Sequence, residues 1–154
     1  MRKIVSFLIS LWLVGSSISA AEPVVEIKKT LRHLLDSDGR HTKSPSLLDR
    51  DAYQAHLKEN PAEVNGLRFD LQIRYASRTP APVTIRVEIR HGKGTDILNA
   101  TFETPFEPKK RRRSQWGKLL IEKKDFRDLG EIIAWRVSLM DGDETLATDE
   151  SFLW

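Results

Sequence analysis

The stretch Leu67-Arg68-Phe69-Asp70-Leu71-Gln72-Ile73-Arg74-Tyr75 decides the fold class, because apolar and polar side chains alternate through it without a break. On a strand, a period of two sends Leu67, Phe69, Leu71, Ile73 and Tyr75 to one face and Arg68, Asp70, Gln72 and Arg74 to the other. Val83, Ile85, Val87 and Ile89 repeat the pattern against Thr84, Arg86, Glu88 and Arg90. Both segments read as half-buried antiparallel strands. Between them lies Thr79-Pro80-Ala81-Pro82, a turn in which neither proline can donate to a ladder, so the two strands are expected to form a hairpin.

The same alternation continues downstream. Leu98, Ala100, Phe102 and Phe106 mark another strand, and Trp116 to Lys124 carries Leu119 and Ile121. Ile133, Trp135, Val137 and Leu139 form the strongest apolar stripe, which places Trp135 in the core. Asp141-Gly142-Asp143 then turns the chain into a last hairpin over Thr145 to Trp154. No long helix is expected after Gly66. Short strands separated by turns predict two antiparallel sheets packed face to face, with the Trp135 strand central.

The first third reads differently. Ser46 and Asp49 have capping-box spacing, Arg50 to Glu59 is good helix material, and Asn60-Pro61 ends it, with one further turn available before Gly66. In Val24 to Leu35, Val25, Ile27 and Leu31 suit a strand while Ile27, Leu31, Leu34 and Leu35 suit a helical face; strand is the reading adopted. Asp36 to Pro45 is a polar loop.

At the start of the chain, Met1-Arg2-Lys3 is basic, Ile4 to Val14 is apolar but short for a bilayer span, and Gly15 to Ala21 is rich in small residues. Residues 1–21 therefore read as a cleavable secretory signal, which predicts a periplasmic or extracellular protein. Residues 22–66 then form an N-terminal strand, loop and short helix packed on a sandwich core over 67–154, the whole of 22–154 being one domain by size. The absence of cysteine excludes disulfides, so the fold must hold by its core. Arg2 and Lys3 account for most of the +3 net charge, leaving 23 basic against 22 acidic side chains. That balance leaves local patches, not a wholly basic surface, to interact with anions.

From Leu67 to Trp154, with Asp128-Leu129-Gly130 preceding the Ile132 to Met140 strand and its return, the chain resembles the last strands of immunoglobulin-like or fibronectin type III-like β-sandwiches. The resemblance covers about the last 88 residues and is one of fold class; it lacks the paired cysteines and tyrosine corner of antibody domains. It implies an adhesion, scaffolding or presenting module and carries over no site residues.

The candidate site is the run Lys109-Lys110-Arg111-Arg112-Arg113 with Trp116 close by, a set able to grip phosphate or sulfate and to stack on a base or sugar. The same run also reads as a solvated loop, or as a partner for the acidic set Asp141, Asp143, Glu144, Asp149 and Glu150. Asp36, Asp38, Asp49 and Asp51 supply oxygen ligands for calcium in type, but Leu47 stands where a helix-loop-helix calcium loop needs a bidentate Glu. His33, His41, His56 and His91 lack metal-ligand spacing, and no nucleophile elbow, zinc-protease motif or phosphate loop is present. Asn99-Ala100-Thr101 is a glycosylation triplet by pattern.

These features predict an exported, non-catalytic interaction module without cofactor or metal, whose partner is a protein or a cell-envelope polymer. Polyanion binding through residues 109–113 and Trp116 is the rival reading, and a hydrolase with a site assembled only in space is the third. A separate architecture is also open: Leu146, Thr148, Glu150, Phe152 and Trp154 resemble the terminal strand of an outer-membrane barrel, although Glu150 on the apolar side and the intervening helix oppose it.

Overall fold

The computed structural model describes residues 24–154, so the expected secretory signal lies outside the described residues. The elements run β1 (Val25–Leu35), α1 (Leu47–Glu59), a 3-10 turn (Pro61–Glu63), β2 (Gly66–Tyr75), β3 (Val83–Lys93), β4 (Asp96–Phe106), β5 (Ser114–Glu122), α2 (Lys123–Leu129), β6 (Glu131–Asp141) and β7 (Glu144–Glu150). They build two antiparallel sheets, ordered β1-β2-β5 and β4-β3-β6-β7. The architecture is a β-sandwich, which overturns the barrel alternative: both sheets are open. Among the described residues no helix is long and apolar enough to cross a membrane.

The alternation in β2 and β3 is real, but their expected hairpin is not. β2 pairs with β1 and β5, whereas β3 pairs with β4 and β6. Two strands with strongly apolar faces bury more surface by meeting face to face, and the proline-bearing connection carries the chain from one sheet to the other. Phe69, Leu71 and Ile73 of β2 accordingly share a core with Ile85, Val87 and Ile89 of β3, Leu119 and Ile121 of β5, and Val137 and Leu139 of β6. Full burial of each such side chain is worth about 1.5–3 kcal/mol. Gly117 keeps the sheets close: a Cβ there would stand 2.7 Å from Ile85 Cδ1 and 3.0 Å from Ile73 Cδ1.

The Trp135 stripe is broken by a register shift between Arg90 and His91 of β3, where β6 carries an extra residue. Ile133 is pushed outward and exposed, and Ile132 takes the inward place. Trp135 reaches the core but is half-buried, with its ring 5.9 Å from that of Phe69. β6 is internal to its sheet and forms the expected hairpin with β7. Beyond β7 the chain folds back, and the Trp154 ring sits 4.4 Å from the guanidinium of Arg90 and 4.7 Å from that of Arg136.

Val25 to Leu35 is a strand, pairing with β2 along its length. Helix α1 starts where the capping signal places it, with the Ser46 hydroxyl accepting from the Asp49 amide at 3.4 Å. Its apolar side buries Tyr53 and Leu57 with Val64 in a small second core. Gln54 fastens the helix to the open edge of β1: its amide accepts from Leu34 N–H at 2.8 Å and donates to the carbonyls of Leu34 and His41, both at 2.9 Å. A side-chain amide thus occupies edge groups that would otherwise invite another strand. Helix α2, not foreseen from the sequence, ends at Gly130 with φ 63°, where a Cβ would lie 2.6 Å from the Gly92 carbonyl oxygen.

Candidate functional site

The basic run joins β4 to β5, the edge strand of the three-stranded sheet. Gln115 organises it. This residue is buried on the inner side of β5, opposite Ile73, and its carboxamide turns back into the loop. Its oxygen accepts from Lys109 N–H at 2.6 Å, and its nitrogen donates to the carbonyls of Lys109 at 3.1 Å and Arg112 at 2.9 Å. Two backbone bonds complete the fastening: Arg111 N–H donates to Arg78 O at 2.8 Å, and Tyr75 N–H to Arg113 O at 2.7 Å. Arg111 itself adopts φ 66°, a left-handed turn conformation uncommon for a side-chain-bearing residue.

With the backbone held inward, Lys109, Lys110, Arg111, Arg112 and Arg113 are all exposed. Among the described residues none of the five makes a salt bridge. Asp141, Asp143, Glu144, Asp149 and Glu150 lie along the β6–β7 hairpin of the other sheet and do not pair with them. Trp116 is 47% exposed on the outer face of β5, opposite Gln72, and shares that face with Lys118 and with Arg74 of β2. The structure therefore places the five cations next to the edge strand that carries an accessible indole and Lys118, with Arg74 of the neighbouring strand on the same face. Such a set can contact successive anionic groups while the ring stacks on a sugar or base.

A second cluster of ionisable groups, on the outer face of the same sheet, was not foreseen. Register sets His33 of β1 opposite Arg68 of β2, beside Asp70. Asp70 Oδ2 bonds His33 Nδ1 at 2.9 Å and accepts from Arg68 Nε at 3.0 Å and Arg68 Nη2 at 2.9 Å. Arg68 Nη2 also lies 3.3 Å from His41 Nδ1, and the two imidazole rings are 4.5 Å apart. Burial, reinforced by the neighbouring His33 and Arg68, holds His41 below its ordinary pKa. Asp70 Oδ1 is buried with no partner. Alternation marked Arg68 and Asp70 as polar-face residues, but their meeting with His33 depends on strand register, which no local pattern reveals.

The remaining acidic and histidine candidates have structural duties. Asp36 Oδ1 accepts from the amides of Asp38 and Arg40, each at 2.9 Å, and Oδ2 accepts from the Tyr53 hydroxyl at 2.7 Å. Burial alone would raise the Asp36 pKa; the Tyr53, Arg40 and Asp38 hydrogen bonds outweigh it and hold the carboxyl below its usual range. Asp38 pairs with Arg40, Asp49 with Ser44, and Asp51 with Arg50. Among the described residues no three His, Asp or Glu side chains stand together as a metal-ligand set. His56 bonds Glu63 at 2.9 Å, closing the turn after α1, and His91 is buried with Nδ1 unpartnered. Compared with known proteins, the chain matches no family model, no curated sequence and no solved structure.

Proposed function

We propose that this chain is an exported, non-catalytic binding module on an immunoglobulin-like or fibronectin type III-like sandwich, and that its ligand is an anionic polymer. The packing of a three-stranded antiparallel sheet, β1-β2-β5, on a four-stranded one, β4-β3-β6-β7, supports the fold-level part of this reading. The observation that carries the ligand is the loop itself. Gln115 spends its whole carboxamide on loop backbone, while the five cations it displays are left without carboxylate partners among the described residues. A loop needed only for solubility requires no such internal fastening.

Adjacent cations repel one another and gain from an anionic partner, and an anionic polymer carries condensed counterions that are released when Lys and Arg neutralise its charges. Heparin or single-stranded DNA titrated at several salt concentrations tests the reading. The affinity should fall steeply with salt, with a log-log slope of about −0.7 per phosphate contacted on the single strand. Trp116→Ala should weaken DNA binding by about 1–3 kcal/mol without altering the salt slope, as expected for lost stacking. Absence of binding at low ionic strength overturns the proposal.

A further inference from the structure

At the opposite end of β1 from its first residue, a cavity of about 800 Å³ opens between that strand, α1 and the corner where α2 meets β6. This volume lies within the range of about 300–1,000 Å³ typical of small-molecule sites. Its wall is apolar, formed by Leu34, Leu57, Val64, Leu67, Phe126 and Ile132. Its mouth carries charge. Arg50 is committed to Asp51 at 3.0 Å and 2.8 Å. Arg32 and Lys58 make no salt bridge among the described residues, and neither does Glu131, so the uncommitted groups at the mouth sum to a positive charge.

Arg32 is the unusual member. Its Cα lies opposite that of Phe69, a core residue, so its side chain leaves β1 on the inward face of the sheet. The guanidinium emerges at the sandwich edge, 5.6 Å from the centroid of the Trp135 ring. The residue is exposed overall, but its surroundings partly desolvate the guanidinium, which lowers its pKa, and among the described residues no carboxylate pairs with it. A cation so placed, beside an apolar hollow, is complementary to an anion whose remaining atoms are apolar.

We propose that this cavity binds a small amphipathic monoanion, a carboxylate with an aryl or medium-chain acyl body, whose head pairs with Arg32 and whose body lies along the apolar wall. The site is separate from the basic loop, and its ligand is not a polymer. Glu131 and the net charge of the mouth set the selectivity: a cationic amphiphile gains one partner and meets two repelling groups.

The test uses octanoate, octanamide and octylammonium as probes of the full protein, followed through backbone amide shifts by NMR. Octanoate should produce saturable shifts at Arg32, Leu34, Leu57, Phe126 and Ile132, and should bind about tenfold more tightly than octanamide, a difference of about 1.4 kcal/mol. Arg32→Gln should reduce octanoate to the affinity of octanamide and leave octanamide unchanged, while Arg32→Lys recovers part of the loss. The comparison of probes on the unaltered protein needs no variant to fold. Replacing residues 109–113 with serine should leave octanoate binding intact, which separates this site from the polyanion surface. The proposal is overturned by the absence of saturable shifts, by octanamide or octylammonium matching octanoate, or by shifts confined to the basic loop.

Discussion

On the outer face of the three-stranded sheet, Arg68 directs two nitrogens at one oxygen of Asp70, and His33 shares that oxygen. At the edge of the same sheet, five consecutive cations have no such partner among the described residues, and the bonds that hold them run through backbone and Gln115. In the first region a carboxylate paired with Arg68 on β2 also bonds His33 and so ties β1 to β2; the second uses neutral hydrogen bonds to keep charge available. Local sequence makes the second region conspicuous and the first nearly invisible, although the first should matter far more to stability.

The largest effect is expected from Asp70→Ala. His33 would keep its buried position and Arg68 its part-buried one, and both would lose their shared acceptor, at a cost of about 3–5 kcal/mol. Urea denaturation of the variant measures this directly. A loss below about 1 kcal/mol would erase the contrast, because the paired cluster would then contribute no more than an exposed pair.

A smaller effect is expected where α1 meets the loop after β1. Tyr53→Phe removes the hydroxyl that donates to Asp36, and a hydrogen bond to a charged acceptor contributes about 1.5 kcal/mol. The hydrogen bond to Asp36, with burial, also pushes the Tyr53 pKa up to about 12. Since the folded Asp36 carboxyl is held below its ordinary 3.8, its contribution is complete above that value and is lost as the pH falls through the folded value. Tyr53→Phe should therefore flatten the fall in stability as the pH drops through and below 3.8. An unchanged acid limb would mean that the amides of Asp38 and Arg40 suffice.

The strands were legible because alternation is a local property: Leu67 to Tyr75 and Val83 to Arg90 announce themselves within nine and eight residues. Their partners were not, since sheet order is decided by how apolar faces meet across the whole core, and the proline-containing connection suits a crossing as well as a hairpin. The bulge that ejects Ile133 arises from pairing with β3, which the Ile133 to Leu139 stripe cannot display. Helix α2, seven residues long, offers too few turns for a helical period to emerge. The basic loop was visible as composition, but its fastening required Gln115, whose role depends on a side chain reaching back across the turn.

Gln115→Ala tests that fastening from within. Three backbone groups of the loop would lose their partner, and because the loop is near solvent, water replaces part of the loss; a cost of about 1 kcal/mol is expected. Polyanion affinity should fall with the positive charge intact, because the cations would no longer be held in one arrangement. Equal affinity in the variant would show that charge density alone suffices. Salt-titrated binding and a denaturation midpoint on the same sample separate the two contributions.

The smallest change in stability should come from the most drastic alteration of charge. Replacing Lys109 to Arg113 with serine removes five cations and leaves the backbone bonds to Gln115, Arg78 and Tyr75 available to form. Exposed side chains without ion-pair partners contribute within about 0.5 kcal/mol, and relief of mutual repulsion favours the variant slightly. The denaturation midpoint should therefore stay in place while retention on heparin disappears. A substantial loss of stability would assign the run to the fold and require an acidic partner, with the β6–β7 hairpin of a second copy of the chain the first to examine. Stability retained with retention also unchanged would move the anion site to Lys118 and Arg74 beside Trp116, cations on the same face that the substitution leaves untouched.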